Sequence, residues 1–169
     1  MKSLLMFAAV CVFTMTACGQ KMNTQSPVAK VSGTTASGTH ISIRYNQPSV
    51  RGRTIGKDLE PLPGKVWRTG ADSTTAFTVD KDVKIEGHSL PAGRYGLFTI
   101  ATGDDWTIIF SKNPLQWGAF TYKEAEDALR VKVTAGKAKA FAEKFTITVS
   151  KDGKVDLLWG GNDVAFKVE

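Results

Sequence analysis

Cysteine is nearly absent from this 169-residue chain, which has two, Cys11 and Cys18, both close to the N-terminus. Beyond residue 18 there is no thiol, so a disulfide, a thiolate metal ligand and a cysteine nucleophile are excluded there. Histidine is scarce as well, since His40 and His88 are the two in the sequence. Two histidines without a thiol are a weak basis for a metal site, and we expect neither a metal nor a cofactor.

A dense run of basic residues is also missing. The formal net charge is +6, but the lysines are spread along the chain in ones and twos. Domains that bind nucleic acid concentrate lysine and arginine on one face or in one segment. The sequence therefore argues against a nucleic-acid partner.

Long apolar stretches are lacking. Residues 4–14 form a short one after Lys2, whereas a helix that crosses a bilayer needs about 20 apolar residues. A basic residue, a short apolar segment and small residues at its end are typical of a secretory signal. We predict that residues 1–17 are a signal peptide that is removed on export.

The end of that segment indicates lipidation. Met15-Thr16-Ala17-Cys18 resembles the lipobox of lipoprotein signal peptidase, with small residues before the cysteine whose thiol receives diacylglycerol. We expect cleavage before Cys18 and attachment to the membrane by lipid on Cys18, with the protein facing the periplasm. Two alternatives stay open. One is an ordinary secretory signal in which Cys18 is incidental, and the other is a buried helix, which the abrupt change to polar sequence at Gly19 disfavours.

The mature chain divides into two parts. Residues 18–38 are rich in Ser, Thr, Gly, Asn and Gln and lack apolar periodicity, which predicts a flexible tether that carries the lipid. Residues 39–169 are long enough for one globular domain with a substantial core. The alternative for the tether is that residues 28–31 begin an edge strand of the domain.

The domain has the pattern of β-strands. Ile41 and Ile43 alternate with polar neighbours, as in a strand with one buried face. Turn residues recur about every ten positions farther along, which favours an all-β fold, a mostly antiparallel β-sandwich, over alternating strands and helices. One short helix is predicted over residues 122–129. Near the C-terminus, residues 155–159 and 164–168 are predicted strands joined by a turn.

Seven segments carry longer motifs: residues 45–53, 66–71, 82–87, 91–100, 106–110, 117–119 and 127–133. Together they resemble a bacterial family catalogued as domain of unknown function 2911, over residues 28–169. The resemblance implies a single exported domain, often with a lipoprotein or secretory signal, and it implies no activity. Where the family usually has Gly-Ala-Asn-Glu, this chain has Gly70-Ala71-Asp72-Ser73. If the family's acidic side chain has a role, either Asp72 takes it over or the role is lost.

Arginine is concentrated in one part of the chain. Four of the six arginines, Arg44, Arg51, Arg53 and Arg68, lie between the first predicted strand and residue 70. Arginine presents a planar fork that suits carboxylate or phosphate and stacks on aromatic rings. Nearby glycines would let a ligand approach the backbone. The predicted site for a small anionic or sugar-like ligand consists of Arg51, Arg53, Trp67, Arg68 and Asp72.

A structural role is also compatible with the same residues. The arginines could instead pin a long loop by pairing with Asp58, Glu60 and Asp72. The sequence carries no nucleophile elbow, so we favour a membrane-tethered binding module over an enzyme. The alternatives are a structural or assembly protein of the cell envelope without a small ligand, and a hydrolase that uses a carboxylate.

The four tryptophans are not equivalent. Trp106 and Trp159 lie within strand patterns, which predicts that they fill the core. Trp117 precedes a glycine, and we predict that it lies at the surface.

Overall fold

The computed structural model describes residues 26–169, and the predicted signal peptide and Cys18 lie outside this range. Within the range there are eleven β-strands and one turn of 3-10 helix, which confirms the predicted all-β class. The strands are β1 (Val28–Thr34), β2 (His40–Asn46), β3 (Val66–Trp67), β4 (Thr75–Val79), β5 (Val83–Ile85), β6 (His88–Leu90), β7 (Gly93–Thr102), β8 (Asp105–Ser111), β9 (Asp127–Thr134), β10 (Gly136–Val149) and β11 (Lys154–Lys167).

One layer is an antiparallel sheet with the strand order β1-β2-β4-β7-β8-β9. Strands β3 and β4 both pair with β7, at adjacent stretches of it. Thr75 of β4 pairs with Leu97, and Trp67 of β3 pairs with Thr99. The long hairpin β10–β11 is the second layer, with β10 beside β1 and β11 beside β9. The two layers therefore enclose one core, and the small hairpin β5–β6 lies against the end of β11.

Aromatic side chains join the two layers. Phe77 and Phe110 of the sheet contact Phe166 of β11, with ring centroids 6.1 Å and 5.7 Å apart. At the β3 end, the rings of Trp67 and Phe145 of β10 are 5.1 Å apart. All five are buried. Each such side chain stabilises the fold by roughly 1.5–3 kcal/mol through its removal from water.

The side chains of β2 alternate between the core and the opposite face of the sheet, as predicted. Ile41 and Ile43 are fully buried, whereas Ser42 and Arg44 on the opposite face are half-buried. A strand places successive side chains on opposite faces, so this register brings the apolar set into the core.

The predicted helix over residues 122–129 is too long. The helical residues are Glu124–Glu126, and Asp127 already begins β9. Val131 pairs with Ile108 of β8, so hydrogen bonding to the sheet outweighs the weak helix propensity of a short run. Among residues 26–169 there is no helix of the length and apolar character needed to cross a bilayer.

The predicted tether over residues 18–38 also extends too far, and the alternative of an edge strand is confirmed. Val28–Thr34 form β1, which pairs with β2 along its whole length. Its side chains alternate between exposed and half-buried, which is why its apolar periodicity is weak. Gly33 lies against β10, where a Cβ would come within 2.8 Å of the Val149 side chain. This position therefore favours glycine, although the residues around it have the composition of a flexible linker.

The C-terminal strands are longer than predicted. Strand β11 continues through residues 160–163, for which the sequence predicts a turn. Gly136 pairs with Asp163 and Lys137 with Asn162, across register shifts in β10. The irregular pairing disturbs the two-residue period, and this obscures the strand in the sequence.

Candidate functional site

A cleft of about 610 Å³ lies where β2 and β3 end and β4 begins. The loop between β2 and β3, the segment between β3 and β4 and the connection between β8 and β9 contribute its walls. All five residues of the predicted site line it, namely Arg51, Arg53, Trp67, Arg68 and Asp72. The structure thus brings these residues together, and ligand binding by them stays a prediction.

The loop between β2 and β3 is attached to the hairpin layer. The backbone N–H of Val50 donates to the carbonyl oxygen of Glu143 at 2.9 Å. Farther along the loop, the indole N–H of Trp159 donates to the carbonyl oxygen of Glu60 at 2.8 Å. A loop without a strand ladder needs such partners for its backbone, and these two bonds hold the arginine-bearing wall of the cleft.

The segment between β3 and β4 has unusual backbone geometry. Thr69 and Asp72 have φ angles of +52° and +55°, in the left-handed region that costs a non-glycine residue about 1–2 kcal/mol. The indole N–H of Trp67 donates to the carbonyl oxygen of Gly70 at 2.9 Å. The Thr75 hydroxyl donates to the carbonyl oxygen of Thr69 at 2.5 Å. The buried partners impose the turn, and strain of this kind is concentrated at functional sites.

Arg68 is the most distinctive member of the cleft. Its side chain is half-buried, and its Nε is buried without a hydrogen-bond partner among residues 26–169. Burial lowers the pKa of Arg68, and the nearby carboxylates of Glu60 and Asp72 oppose that shift. Arginine stays charged at neutral pH in any case, so the cleft contains a partly desolvated cation with a free donor.

The acidic residues expected to act as structural partners are engaged elsewhere. Asp58 and Glu60 accept hydrogen bonds from backbone N–H groups of their own loop, at 2.6 Å and 2.9 Å. The carboxylate of Asp72 accepts from the side-chain amide of Asn46 at 3.4 Å. Each of these contacts uses a donor other than an arginine.

The arginines accordingly do not pair with these acids. Across the described part of the chain, no carboxylate lies within 4.0 Å of the guanidinium nitrogens of Arg44, Arg53 or Arg68. The hypothesis that ion pairs with these arginines pin the loop is therefore wrong for these three. Arg44 does not line the cleft, and its guanidinium lies 3.5 Å from the Ser73 hydroxyl.

Two of the arginines have roles within the loop itself. Arg53 is exposed and donates to the carbonyl oxygens of Ser49, at 2.6 Å, and Val50, at 3.1 Å. The backbone N–H of Arg51 donates to the carboxylate of Glu143 at 2.8 Å. Arg53 therefore stabilises the loop through backbone carbonyls while it forms part of the cleft wall.

The tryptophans contribute to the cleft in two ways. Trp67 is 1% exposed and stacks on Trp159, with centroids 6.5 Å apart, so these rings form a floor rather than an open platform. Trp117 is 62% exposed and lies at the rim. The predicted surface position of Trp117 and the predicted core positions of Trp106 and Trp159 are confirmed.

Some residues of the cleft were not predicted from the sequence. Trp117, Glu60 and Ser26 also line it. Trp117 is far from the arginines in sequence, and only the bridge between Ser73 and Trp117 brings it to the cleft. Its glycine neighbour marked it as a surface residue, but no pattern connected it to this site.

Two other polar residues, Ser73 and His88, lie in separate parts of the fold. Ser73 donates to the side-chain oxygen of Asn46, and His88 lies in the small β5–β6 hairpin. Residues 26–169 contain no group of three or more His, Cys, Asp or Glu side chains placed to hold a metal ion.

Comparison with known proteins identifies the family. The family described as "Protein of unknown function (DUF2911)" matches residues 26–168, and the chain belongs to it. No curated protein and no solved structure matches the chain.

Proposed function

We propose that this member of the DUF2911 family is a cell-envelope lipoprotein whose domain binds a small anionic or sugar-like ligand in the cleft. In this proposal, residues 1–17 direct export and lipid on Cys18 holds the protein to the membrane, facing the periplasm. The domain is a binding module, and no catalytic step is assigned to it.

The observation that carries the proposal is the state of Arg68. A buried guanidinium Nε without a partner is costly, because burial of an unpaired polar donor costs roughly 1–3 kcal/mol. Because Nε itself has no accessible surface, a ligand would offset that cost through the rest of the Arg68 side chain, which lines the cleft. The cleft volume of about 610 Å³ is within the range that small-molecule sites occupy, roughly 300–1,000 Å³.

The lining narrows the class of ligand. Arg68 suits a carboxylate, a phosphate or a hydroxyl oxygen, while the carboxylates of Glu60 and Asp72 nearby suit hydroxyl donors. The exposed indole of Trp117 adds an apolar face at the rim. A molecule with several hydroxyl groups and one acidic group would satisfy this combination better than a simple anion.

A binding assay with variants tests the site. Calorimetry would titrate the protein with inorganic phosphate, glucose, glucuronate and glucose 6-phosphate. We expect Arg68→Ala to weaken binding at least tenfold, since hydrogen bonds to charged groups contribute about 1.5–3 kcal/mol. Arg94→Ala is the matched control, because Arg94 is an exposed arginine of β7 outside the cleft. Equal affinity in the two variants, or an Arg68→Ala protein that does not fold, would contradict the proposal.

The membrane attachment needs its own test. Mass spectrometry of the mature protein should find an acylated N-terminal Cys18, and Cys18→Ser should release the protein from the membrane fraction. An unmodified Cys18 would favour the ordinary secretory signal. That result would remove the lipoprotein part of the proposal and leave the cleft unaffected.

A further inference from the structure

The connection between β8 and β9 exposes large apolar side chains. In this rim loop, residues 112–123, Leu115 is 74% exposed, Trp117 is 62% exposed and Phe120 is 87% exposed. The polar residue between the first two, Gln116, is instead buried. A surface loop normally shows the reverse distribution, and exposed apolar clusters indicate interaction surfaces.

Hydrogen bonds with the domain hold the loop in this inverted arrangement. The buried hydroxyl of Thr74 lies 3.1 Å and 3.2 Å from the carbonyl oxygens of Gln116 and Gly118. The backbone N–H of Gly118 donates to the carbonyl oxygen of Asp72 at 2.9 Å. The Thr121 hydroxyl donates to the side-chain oxygen of Gln116 at 2.8 Å. These hydrogen bonds therefore impose the loop conformation in which the apolar residues are exposed.

The Phe120 ring lies against the backbone of the loop. Gly118 has a φ angle of +69°, and a Cβ there would lie 2.8 Å from the ring of Phe120. The Phe120 ring is thus close to Gly118, where a side chain would collide with it. Tyr122 closes the loop by donating to Asp127 at 2.7 Å.

The entry point of the chain indicates what covers this surface. Ser26 lines the same cleft as Trp117, so the described part of the chain begins near the rim loop. Cys18 precedes Ser26 by eight positions. Eight residues reach about 28 Å at most, so lipid on Cys18 would keep the rim loop close to the bilayer surface.

Exposed basic residues flank the loop. Lys112 and Lys123, at its two ends, are exposed. The acidic Glu124 that follows is paired with Arg130 at 3.2 Å. Tryptophan and phenylalanine with flanking lysines are typical of segments that lie in the head-group region, because indole combines an apolar ring with one polar N–H.

We infer that the rim loop inserts Leu115, Trp117 and Phe120 into the interface of the bilayer, so that the cleft opens beside the lipid head groups. This inference rests on the membrane attachment in the proposed function but not on the ligand of the cleft. The occupant of the surface is the lipid bilayer, not a partner protein or a second copy of the chain.

Tryptophan fluorescence can test this without a label. Trp117 is the exposed one of the four tryptophans, since Trp67, Trp106 and Trp159 are 1–3% exposed. The full chain would be reconstituted into vesicles of phosphatidylethanolamine and phosphatidylglycerol, with or without bromine on the acyl chains. We expect bromine to quench roughly one quarter of the emission, because one indole in four would be within reach of the acyl chains.

Matched variants assign the quenching to the loop. Trp117→Phe should abolish it while circular dichroism stays unchanged, and Leu115→Ser with Phe120→Ser should reduce it at least twofold. Lys151→Ser, at an exposed turn remote from the cleft, should leave it unchanged.

Two results would overturn the inference. One is emission that is the same with and without bromine in vesicles that hold the protein. The other is a change in Trp117 emission that follows protein concentration alone, which would indicate self-association. Failure of the membrane attachment is distinguishable, because the protein would then not float with the vesicles at all.

Discussion

At the scale of single residues, two arginines of one cleft use the same side chain in opposite ways. Arg53 is exposed, and its guanidinium donates to two backbone carbonyls of its own loop. Arg68 is half-buried, and its Nε has no partner in the described part of the chain. The first contact stabilises the fold, whereas the second group is held at a cost, as expected for a group kept for a ligand.

Substitution by methionine separates these two roles, because methionine keeps an unbranched stem without the charge. Arg53→Met should lower the free energy of unfolding by about 1 kcal/mol through the lost hydrogen bonds. Arg68→Met should leave it unchanged or raise it by up to about 1 kcal/mol, because the cost of burying the cation disappears. Urea denaturation of both variants measures the difference. A larger loss for Arg68→Met than for Arg53→Met would show that Arg68 is structural.

At the scale of secondary-structure elements, the rim loop depends on a strand that is distant in sequence. Thr74 immediately precedes β4, and its hydroxyl and backbone N–H both contact the carbonyl oxygen of Gln116. The same hydroxyl is within 3.2 Å of the Gly118 carbonyl oxygen. One buried side chain therefore positions Trp117, which lies between these two carbonyls in the chain.

Thr74→Val removes the hydroxyl while it retains the shape of the side chain. We expect stability to fall by about 1–2 kcal/mol, because the one hydroxyl proton that the Gln116 and Gly118 carbonyl oxygens share is lost. We also expect hydrogen exchange at the Gly118 amide to accelerate at least tenfold, since the loop loses its main attachment. Thr78→Val is the control, because Thr78 lies half-buried on the same strand and the change should cost less than about 0.5 kcal/mol. Equal effects of the two variants would contradict this role of Thr74.

At the scale of the whole molecule, the core is continuous across separate sheets. Phe145 of β10 contacts Tyr45 of β2, Trp67 of β3 and Trp159 of β11, with ring centroids 5.6 Å, 5.1 Å and 5.9 Å apart. The hairpin layer therefore has no core of its own and is stabilised by the sheet. Because Trp67 and Trp159 also form the floor of the cleft, the site and the core share side chains.

A shared core predicts cooperative unfolding. Far-ultraviolet circular dichroism and tryptophan emission should give coincident transitions in urea. Phe145→Ala should shift both transitions together, with a loss of about 3–5 kcal/mol, because the truncation leaves a cavity between the layers. A variant in which the emission changes before the circular dichroism would show that the hairpin unfolds separately.

Local patterns in the sequence were sufficient for the fold class and for much of the candidate site. Strand β2 was predictable because a half-buried strand requires period-two alternation, which Ile41 and Ile43 display. The arginines, Trp67 and Asp72 could be grouped because they lie on a single loop and the short strand and segment that follow it. A short separation along the chain limits how far apart residues can lie, but the contacts of the loop with β10 and β11 decide that these meet in one cleft.

Other features depended on contacts between distant segments. Strand β1 and the extensions of β10 and β11 are strands because of their neighbours, since their own residues alternate weakly or not at all. The same holds for β9, where pairing with β8 takes in residues 127–129 of the predicted helix.

The sequence by itself determined an all-β domain and a dense group of arginines, and it predicts an export signal, because each is encoded in neighbouring residues. Two other features were decided only by the tertiary structure. Arg68 forms no ion pair with an acidic side chain of the described residues, and Trp117 lines the same cleft as Arg68. Both depend on which atoms the fold brings within hydrogen-bond distance, as in the contact of Thr74 with Gln116, which are 42 positions apart in the chain. Composition and periodicity carry no record of such distances.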